Sequence, residues 1–357
     1  MIFLFVLLVL VSFMGEQLPR KNKLYLMSFL ILVLAWGAGT RVGWPDQLVY
    51  EIGFNKHTPI LWDWNWSDQP FGYREKGFFL LGVICKTITN DSTFFLLTVS
   101  FITFYFLYKD FKKYSIVYPL LGLCVYVARF FAGRNLMQIR AGLCYAIVLL
   151  GVQYVTKRDW KRYFLIIFIA YLFHTSALVA IPLYFLPYLR LKKKHVVLLI
   201  ILAFIITGFF TPVLRGLIVD TGSDLDASLK GVRSYITEDE QQSAKGLANP
   251  MIYFQTFLLM AYVFGERILK KTTVHYYTIR DAYFYSTFIL ITFSMFLTLS
   301  ARTSTMFATF EFVIIPSLIE SFGKKNKWLT FAGVAIVLIA IMYMNLGARA
   351  FDYPRFK

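Results

Sequence analysis

KRDWKRYFLIIFIAYLFHTSALVAIPLYFLPYLRLKKK, residues 157–194, is the stretch on which the reading of the fold turns. A basic cluster (Lys157, Arg158, Lys161, Arg162) and a second one (Arg190, Lys192, Lys193, Lys194) bracket an apolar run over 163–189. One long helix would put one cluster on each side of a membrane. Basic clusters collect on the cytoplasmic side, so the run is expected to enter and return, with His174 at its turn. From Lys157 to His174 is 17 residues, about 26 Å of straight helix at 1.5 Å per residue, against roughly 30 Å of hydrocarbon. His174 is therefore expected at or slightly below the outer boundary.

The rest of the chain repeats this pattern. Of 357 residues, 58% are apolar and 16% charged, with a mean hydropathy of +0.60, whereas soluble domains carry about 25% charged residues. Apolar runs fall near 1–14, 24–38, 92–108, 116–131, 141–155, 163–173, 176–189, 195–212, 251–265, 282–300, 306–322 and 328–346. They predict an all-α polytopic membrane protein of about 12 transmembrane helices, a single integral-membrane domain over 1–357. Every second gap carries a tight basic cluster and is read as cytoplasmic. Residues 1–14 lack the basic stretch that opens a secretory signal, and Arg20, Lys21 and Lys23 follow the run, which marks a retained first helix with its amino terminus outside. Cys85, Cys124 and Cys144 lie in apolar runs with no metal-ligand spacing.

The formal net charge of +17 would suggest nucleic acid in a soluble chain. Placed on this topology, most of it is inward and sets orientation, so no nucleic-acid partner is expected. The inner clusters hold 15 Lys and 6 Arg, whereas the outer face holds 6 Lys and 10 Arg. Arginine's planar fork suits bidentate contact with phosphate and carboxylate. Two long gaps face outward, 39–91 and 213–250. In the first, residues 78–85 are too short to span and predict an interfacial or re-entrant helix; in the second, Leu225, Leu229, Val232 and Ile236 recur at helical spacing and predict an amphipathic helix on the membrane surface.

Several groups of residues could carry chemistry, each beside a structural alternative. Arg129, Arg134 and Arg140, with Gln138, crowd the outer ends of the fourth and fifth spans, where they suit a bound anion or snorkelling to lipid headgroups. Arg302 stands alone in a very short outer turn and has the same two readings. His174 suits a general base or diphosphate partner, or a polar residue satisfying a helix turn. Asp46 and Glu75, near Arg41 and Arg74, suit a general base or loop-holding ion pairs. Trp62, Trp64 and Trp66 alternate, so an extended backbone would set them on one face for stacking on sugars; the alternative is an interfacial aromatic belt. No phosphate-binding loop, dinucleotide fingerprint or nucleophile elbow is present.

The stretch 134–147, RNLMQIRAGLCYAI, followed by Lys157–Tyr163 and by Leu172-Phe173-His174-Thr175-Ser176 with Pro182, resembles the EpsG family of Wzy-type polysaccharide polymerases. Arg41-Val42-Gly43-Trp44-Pro45-Asp46, Glu75-Lys76-Gly77-Phe78, and Ala301-Arg302 with Ile315-Pro316 are similar, in the same order, to further elements of that family. Family members often have Gln directly after the equivalent of Arg140; here that residue is Ala141, and Gln138 precedes.

The resemblance implies a GT-C-like extracytoplasmic glycosyltransferase in the bacterial inner (cytoplasmic) membrane. Its substrates would be undecaprenyl-diphosphate-linked glycan donor and acceptor, joined into O-antigen, capsule or exopolysaccharide. Arg134, Arg140 and Arg302, with Arg41 and Arg129, would hold the diphosphates, so that no metal or cofactor is expected. His174, or failing it Glu75 or Asp46, would be the base. Trp62, Trp64, Trp66, Arg74 and Gln138 would meet sugars. Membrane lipid and a Wzz-type chain-length regulator are the implied partners. A lipid-linked oligosaccharide flippase would instead line a midplane cavity with charge, and a membrane-bound acyltransferase could also use His174.

Overall fold

The computed structural model describes residues 1–221, 246–294, 296–322, 327–347 and 349; it is built from helices, with no strand among the described residues. In chain order these are α1 (Ile2–Gly15), α2 (Arg20–Gly39), α3 (Gln47–Ile52), α4 (Lys76–Ile88), α5 (Ser92–Tyr114) and α6 (Pro119–Tyr126). α6 runs on into a π-helix, Val127–Met137. Then follow α7 (Ile139–Thr156), α8 (Trp160–Tyr171), 3₁₀ segments Thr175–Tyr184 and Leu186–Leu189, and α9 (Lys193–Thr221). The chain closes with α10 (Pro250–Phe264), α11 (Tyr276–Thr292), α12 (Leu297–Ala308), α13 (Glu311–Phe322) and α14 (Lys327–Leu346).

Each apolar run of the sequence falls on helix, but the lengths differ from the expectation. Five helical stretches are long and apolar enough to cross a membrane: Arg20–Gly39, Ser92–Tyr114, Pro119–Met137, Ile139–Thr156 and Trp328–Leu346. Ile2–Gly15, Thr175–Leu189 and Pro250–Phe264 are apolar but shorter. The stretch 39–91 contains α3, a short π turn and α4, which takes in residues 78–85. In the second gap α9 continues through 213 to Thr221, and the expected amphipathic helix at 225–236 lies outside the described residues.

Within the first unit the chain folds back after α8, as the run 163–189 requires at its turn. α8 stops at Tyr171, and the chain turns through Leu172–His174 before the 3₁₀ segment begins. The Tyr163 hydroxyl donates to the Ala180 carbonyl at 2.6 Å, pinning the returning limb against α8. The path is not the straight helix first assumed: α8 starts only at Trp160, after Arg158 at φ 57°. Thr175–Tyr184 and Leu186–Leu189 follow 3₁₀ geometry, which rises about 2 Å per residue against 1.5 Å in an α-helix.

The chain divides into two compact units: Met1–Ile181 with Leu269–His275 and Glu311–Lys357, and Pro182–Ile268 with Tyr276–Phe310. In the first, α5 packs on α2 and α7, α6 on α1 and α13, and α14 on the π-helix. Glu16 holds the start of α6, its Oε1 accepting the amides of Leu120 (2.7 Å) and Leu121 (3.1 Å) while Lys23 neutralises Oε2. A carboxylate there meets unsatisfied amides and the positive end of the helix dipole. In the second unit α11 packs on α9, α10 and α12. Arg280 donates to Asp281 and to the Leu191 carbonyl, and the Ser286 hydroxyl to the Ser304 carbonyl.

Gly122 is where α6 comes closest to α13. A Cβ there would lie 2.5 Å from the Phe312 carbonyl oxygen, whereas one at Gly133 on the following π-helix would meet nothing within 4 Å. Gly122→Ala is expected to cost about 1–3 kcal/mol through overpacking and to lower the melting temperature in detergent by several degrees. Gly133→Ala should leave it within a degree or two, and equal melting of the two variants would refute close packing at Gly122.

Candidate functional site

In the first unit two of the sequence's candidate residues, Glu75 and Arg140, form an ion pair. Glu75 precedes α4 and Arg140 lies in the first turn of α7; Arg140 Nη1 and Glu75 Oε2 are 2.5 Å apart. Glu75 is 8% exposed. Arg140 Nε reaches the Tyr50 hydroxyl at 3.4 Å, and the guanidinium lies 4.9 Å from the Tyr73 ring centroid. Burial pushes both the Tyr50 and Tyr73 hydroxyls up, against the opposing effect of Arg140. Both phenols are therefore neutral at physiological pH and remain hydrogen-bond donors.

Local sequence explains why these residues meet. The amides of Gly77 and Phe78, unsatisfied in the first turn of α4, both donate to the Leu172 carbonyl, at 2.9 and 3.2 Å. A Cβ on Gly77 would lie 2.6 Å from the Leu172 Cβ and 2.7 Å from its carbonyl oxygen, so glycine alone permits this docking. It brings the turn after α8 to Glu75, whose Oε1 accepts the Thr175 amide at 3.5 Å.

His174 is thereby one residue from Glu75's partner. Its Nδ1 accepts the Ser176 amide at 3.1 Å and lies 2.7 Å from the Ser176 hydroxyl. With Nδ1 accepting, the neutral imidazole carries its proton on Nε2 and offers a donor there.

The other arginines have different settings. Arg129 makes a bidentate pair with Glu311, at 2.6 and 3.0 Å, and Glu311 is fully buried. Arg134 is stacked between the rings of Phe130 (4.2 Å) and Tyr145 (4.9 Å). Arg41 is 2% exposed; its Nε donates to the Leu136 carbonyl and Nη1 to the Ala38 carbonyl, both at 2.7 Å, while buried Nη2 has no hydrogen-bond partner. Burial lowers its pKa to about 10. Arg41, Arg134 and Asn135 share a cavity the size of one water molecule.

Arg302 belongs to the second unit and lies inside α12, half-buried, not in a turn between spans. The chain bends earlier, between Thr292 and Leu297, and again after Ala308, so Arg302 falls mid-helix.

Asp46 is exposed, in the left-handed region at φ 62°, where it starts α3. Arg74 is exposed, and its amide donates to Glu75 Oε2. Gln138 breaks the helix between the π segment and α7. The tryptophan loop is not extended: turns at 60–63 and 65–68 leave Trp62 79% exposed, while Trp64 and Trp66 pack edge to face at 5.7 Å. Lys76 ties this loop to α4 by donating to the carbonyls of Trp66 and Asp68.

Sequence reading missed Tyr50 and Tyr73, which complete the ion pair's surroundings, and Gln47, whose Nε2 donates to the Arg41 carbonyl and to Glu51. The tyrosines sit in an aromatic-rich chain with nothing in their spacing to mark them.

Removing one member of a buried pair leaves the other charge uncompensated, at about 3–5 kcal/mol; partial exposure of Arg140 puts this pair toward the lower figure. Glu75→Ala and Arg140→Ala are each expected to lower the melting temperature, and the double variant to lose less than the sum, with a coupling of about 1–3 kcal/mol. Additive losses would show that the pair does not hold α4 to α7.

No solved structure is significantly similar to this chain. The amylovoran biosynthesis protein AmsC of Erwinia amylovora is 28% identical over 245 residues, covering 66% of this chain and 62% of that protein, so the match spans less than two thirds of its length. The family model described as EpsG family matches residues 24–354. That match runs through Arg41, Glu75, Arg140, His174 and Arg302 alike, and the chain belongs to the EpsG family.

Proposed function

We propose that the protein is an extracytoplasmic glycosyltransferase that polymerises lipid-diphosphate-linked oligosaccharide repeat units, crossing the bacterial inner membrane about twelve times in a GT-C-like arrangement. The observation that carries the reading is the largely buried Glu75–Arg140 pair, with two neutral tyrosines and the His174 turn around it. The family membership supports it, as does the similarity to AmsC, an amylovoran biosynthesis protein. The helix ends that meet there are the carboxyl ends of α2 and α8 and the amino ends of α5 and α7. Each is the end remote from its basic cluster: Arg20–Lys23, Lys109–Lys113 and Lys157–Arg162 lie at the opposite ends. By the positive-inside rule this supports an outward-facing site.

In this reading the acceptor's hydroxyl oxygen attacks the donor's anomeric carbon as the bond from that carbon to the diphosphate oxygen breaks. The glycan moves to the acceptor, and the lipid diphosphate leaves with the bonding electron pair. Arg140 stabilises the charge growing on the leaving diphosphate, a fixed-charge effect worth about 10²–10³ in rate. Glu75 accepts the hydroxyl proton through Oε1, the oxygen not engaged by Arg140. His174 acts as an Nε2–H donor to a phosphate or sugar oxygen, since its Nδ1 is already occupied by the Ser176 amide. Asp46 and Arg74 are exposed in the same outward segment, and the Trp62–Trp66 loop offers rings to the sugars.

Purified protein supplied with lipid-linked repeat units, and with no nucleotide sugar, should yield a ladder of longer glycans. Single-unit products would sink the polymerase reading. Glu75→Gln should slow ladder formation at least 100-fold, as expected for loss of a positioned base. His174→Gln, which keeps a side-chain N–H, should retain most of the rate that His174→Ala loses. Full activity of Glu75→Gln alongside an inactive His174→Gln would return the base role to His174.

A further inference from the structure

α1 and α2 are joined by only a few residues, yet each packs elsewhere, α1 on α6 and α14, α2 on α5. Between them runs an apolar groove of about 380 Å³, walled by Leu4 and Leu8 on α1 and by Phe29, Leu30, Val33 and Gly37 on α2, with the π-helix behind. It extends along α2 from Leu26 to Gly37, about 17 Å of helix rise. Phe29 and Val33 are more than half exposed, so the groove opens sideways. Its carboxyl-terminal end along α2 is closed by Trp44 and by Arg41, the only charged residue that lines it among the described residues.

Arg41 makes no ion pair among the described residues, and Nη2 has no hydrogen-bond partner although the residue is almost wholly buried. Asp46, Glu51 and the Tyr50 hydroxyl act on it electrostatically from nearby. Beside it Arg349 lies 5.1 Å from the Trp44 ring centroid and donates to the Gly43 carbonyl. An apolar slot ending in a guanidinium that makes no direct ion pair among the described residues, with a second one at the rim, complements a molecule with a long hydrocarbon tail and an anionic phosphate head.

We infer that this groove seats the tail of a polyprenyl phosphate carrier, with its phosphate at Arg41. The inference rests on the polymerase reading for the kind of lipid, and places the carrier's tail between α1 and α2, beside the Glu75–Arg140 pair and not upon it. Arg41 here is a binding residue; the chemistry is assigned to other groups.

Native mass spectrometry of the full-length protein in detergent tests it, with sugar-free polyprenyl diphosphate as the probe. The diphosphate is expected to bind at least tenfold more tightly than the matching polyprenol, and not to be displaced by an equal concentration of phosphatidylglycerol. Val33→Trp and Leu30→Trp should abolish binding by filling the slot, while Tyr25→Trp, equally exposed on α2 but outside the groove, should bind normally. Arg41→Gln should bring the diphosphate and polyprenol affinities to within about threefold of each other. Unchanged binding by Val33→Trp, equal affinity for polyprenol in the unaltered protein, or equal competition by phosphatidylglycerol would each overturn the inference. A glycan ladder from an unaltered protein whose Trp variants still bind lipid would remove the groove and leave the polymerase. Lipid bound in the groove without any ladder would do the reverse.

Discussion

The chemistry proposed for this protein depends on a charge pair that the sequence keeps apart by 65 residues and the fold brings to 2.5 Å, Glu75 with Arg140. Such a pair exists in an apolar chain only if the desolvation of both ions is met by geometry and further hydrogen bonds. The structure supplies these: the Thr175 and Arg74 amides on the carboxylate, the Tyr50 hydroxyl and the Tyr73 ring on the guanidinium. The Thr175 contact depends on Gly77, because any larger residue would hold the start of α4 off Leu172. A single missing Cβ thus fixes where the carboxylate stands.

That requirement also sorts the arginines. Net charge and location made Arg129, Arg134, Arg140 and Arg41 look alike, since all lie near the outer ends of spans. Their partners separate them. Arg129 is bound by Glu311, Arg134 is stacked between two rings, and Arg140 shares a carboxylate with the site. Arg41 has backbone carbonyls and one nitrogen left over. A guanidinium already held by a buried carboxylate on two of its nitrogens has less to offer a phosphate than one held by neutral carbonyls. Arg41 and Arg140 are therefore better placed to meet an anion than Arg129.

Much of this was legible in the sequence for a simple reason: membrane insertion writes its rules in composition. Apolar runs marked the helices, and two basic flanks pointed to a turn after α8, where the Tyr163–Ala180 hydrogen bond shows the chain folding back. What stayed hidden was set by backbone geometry. The path to His174 is not straight because Arg158 turns the chain before α8, and the limb after His174 is 3₁₀, a form hydropathy cannot distinguish from α-helix. Arg302 was read into a turn because apolarity pauses there, but Ser and Thr in Leu297–Ala308 continue the helix. The alternation of Trp62, Trp64 and Trp66 suggested a strand-like face, and two tight turns undo it. Tyr50 and Tyr73 could not be found by pattern, because their role comes from where Arg140 lands.

The π-helix Val127–Met137 ties these features together. Its wider turn joins residues five apart: the Gln138 amide closes it by donating to the Gly133 carbonyl, and Arg129 and Arg134, also five apart, both approach the Phe130 ring. One element thereby serves two surfaces and the residue between them. Its Val127, Phe131 and Leu136 back the apolar groove, its Arg134 and Asn135 line the small polar cavity, and its Leu136 carbonyl holds Arg41 where the groove and the cavity meet. An α-helix of the same length would rotate these side chains out of register, because each residue advances by a different angle. The wide helix costs backbone geometry, and π segments of this kind persist mostly at functional sites. Here that expense is explained if Arg41 must keep one nitrogen facing away from its own backbone partners. Leu136 is next to the last residue of that helix, where carbonyls lack a partner in the ladder, so its oxygen is available to hold Arg41.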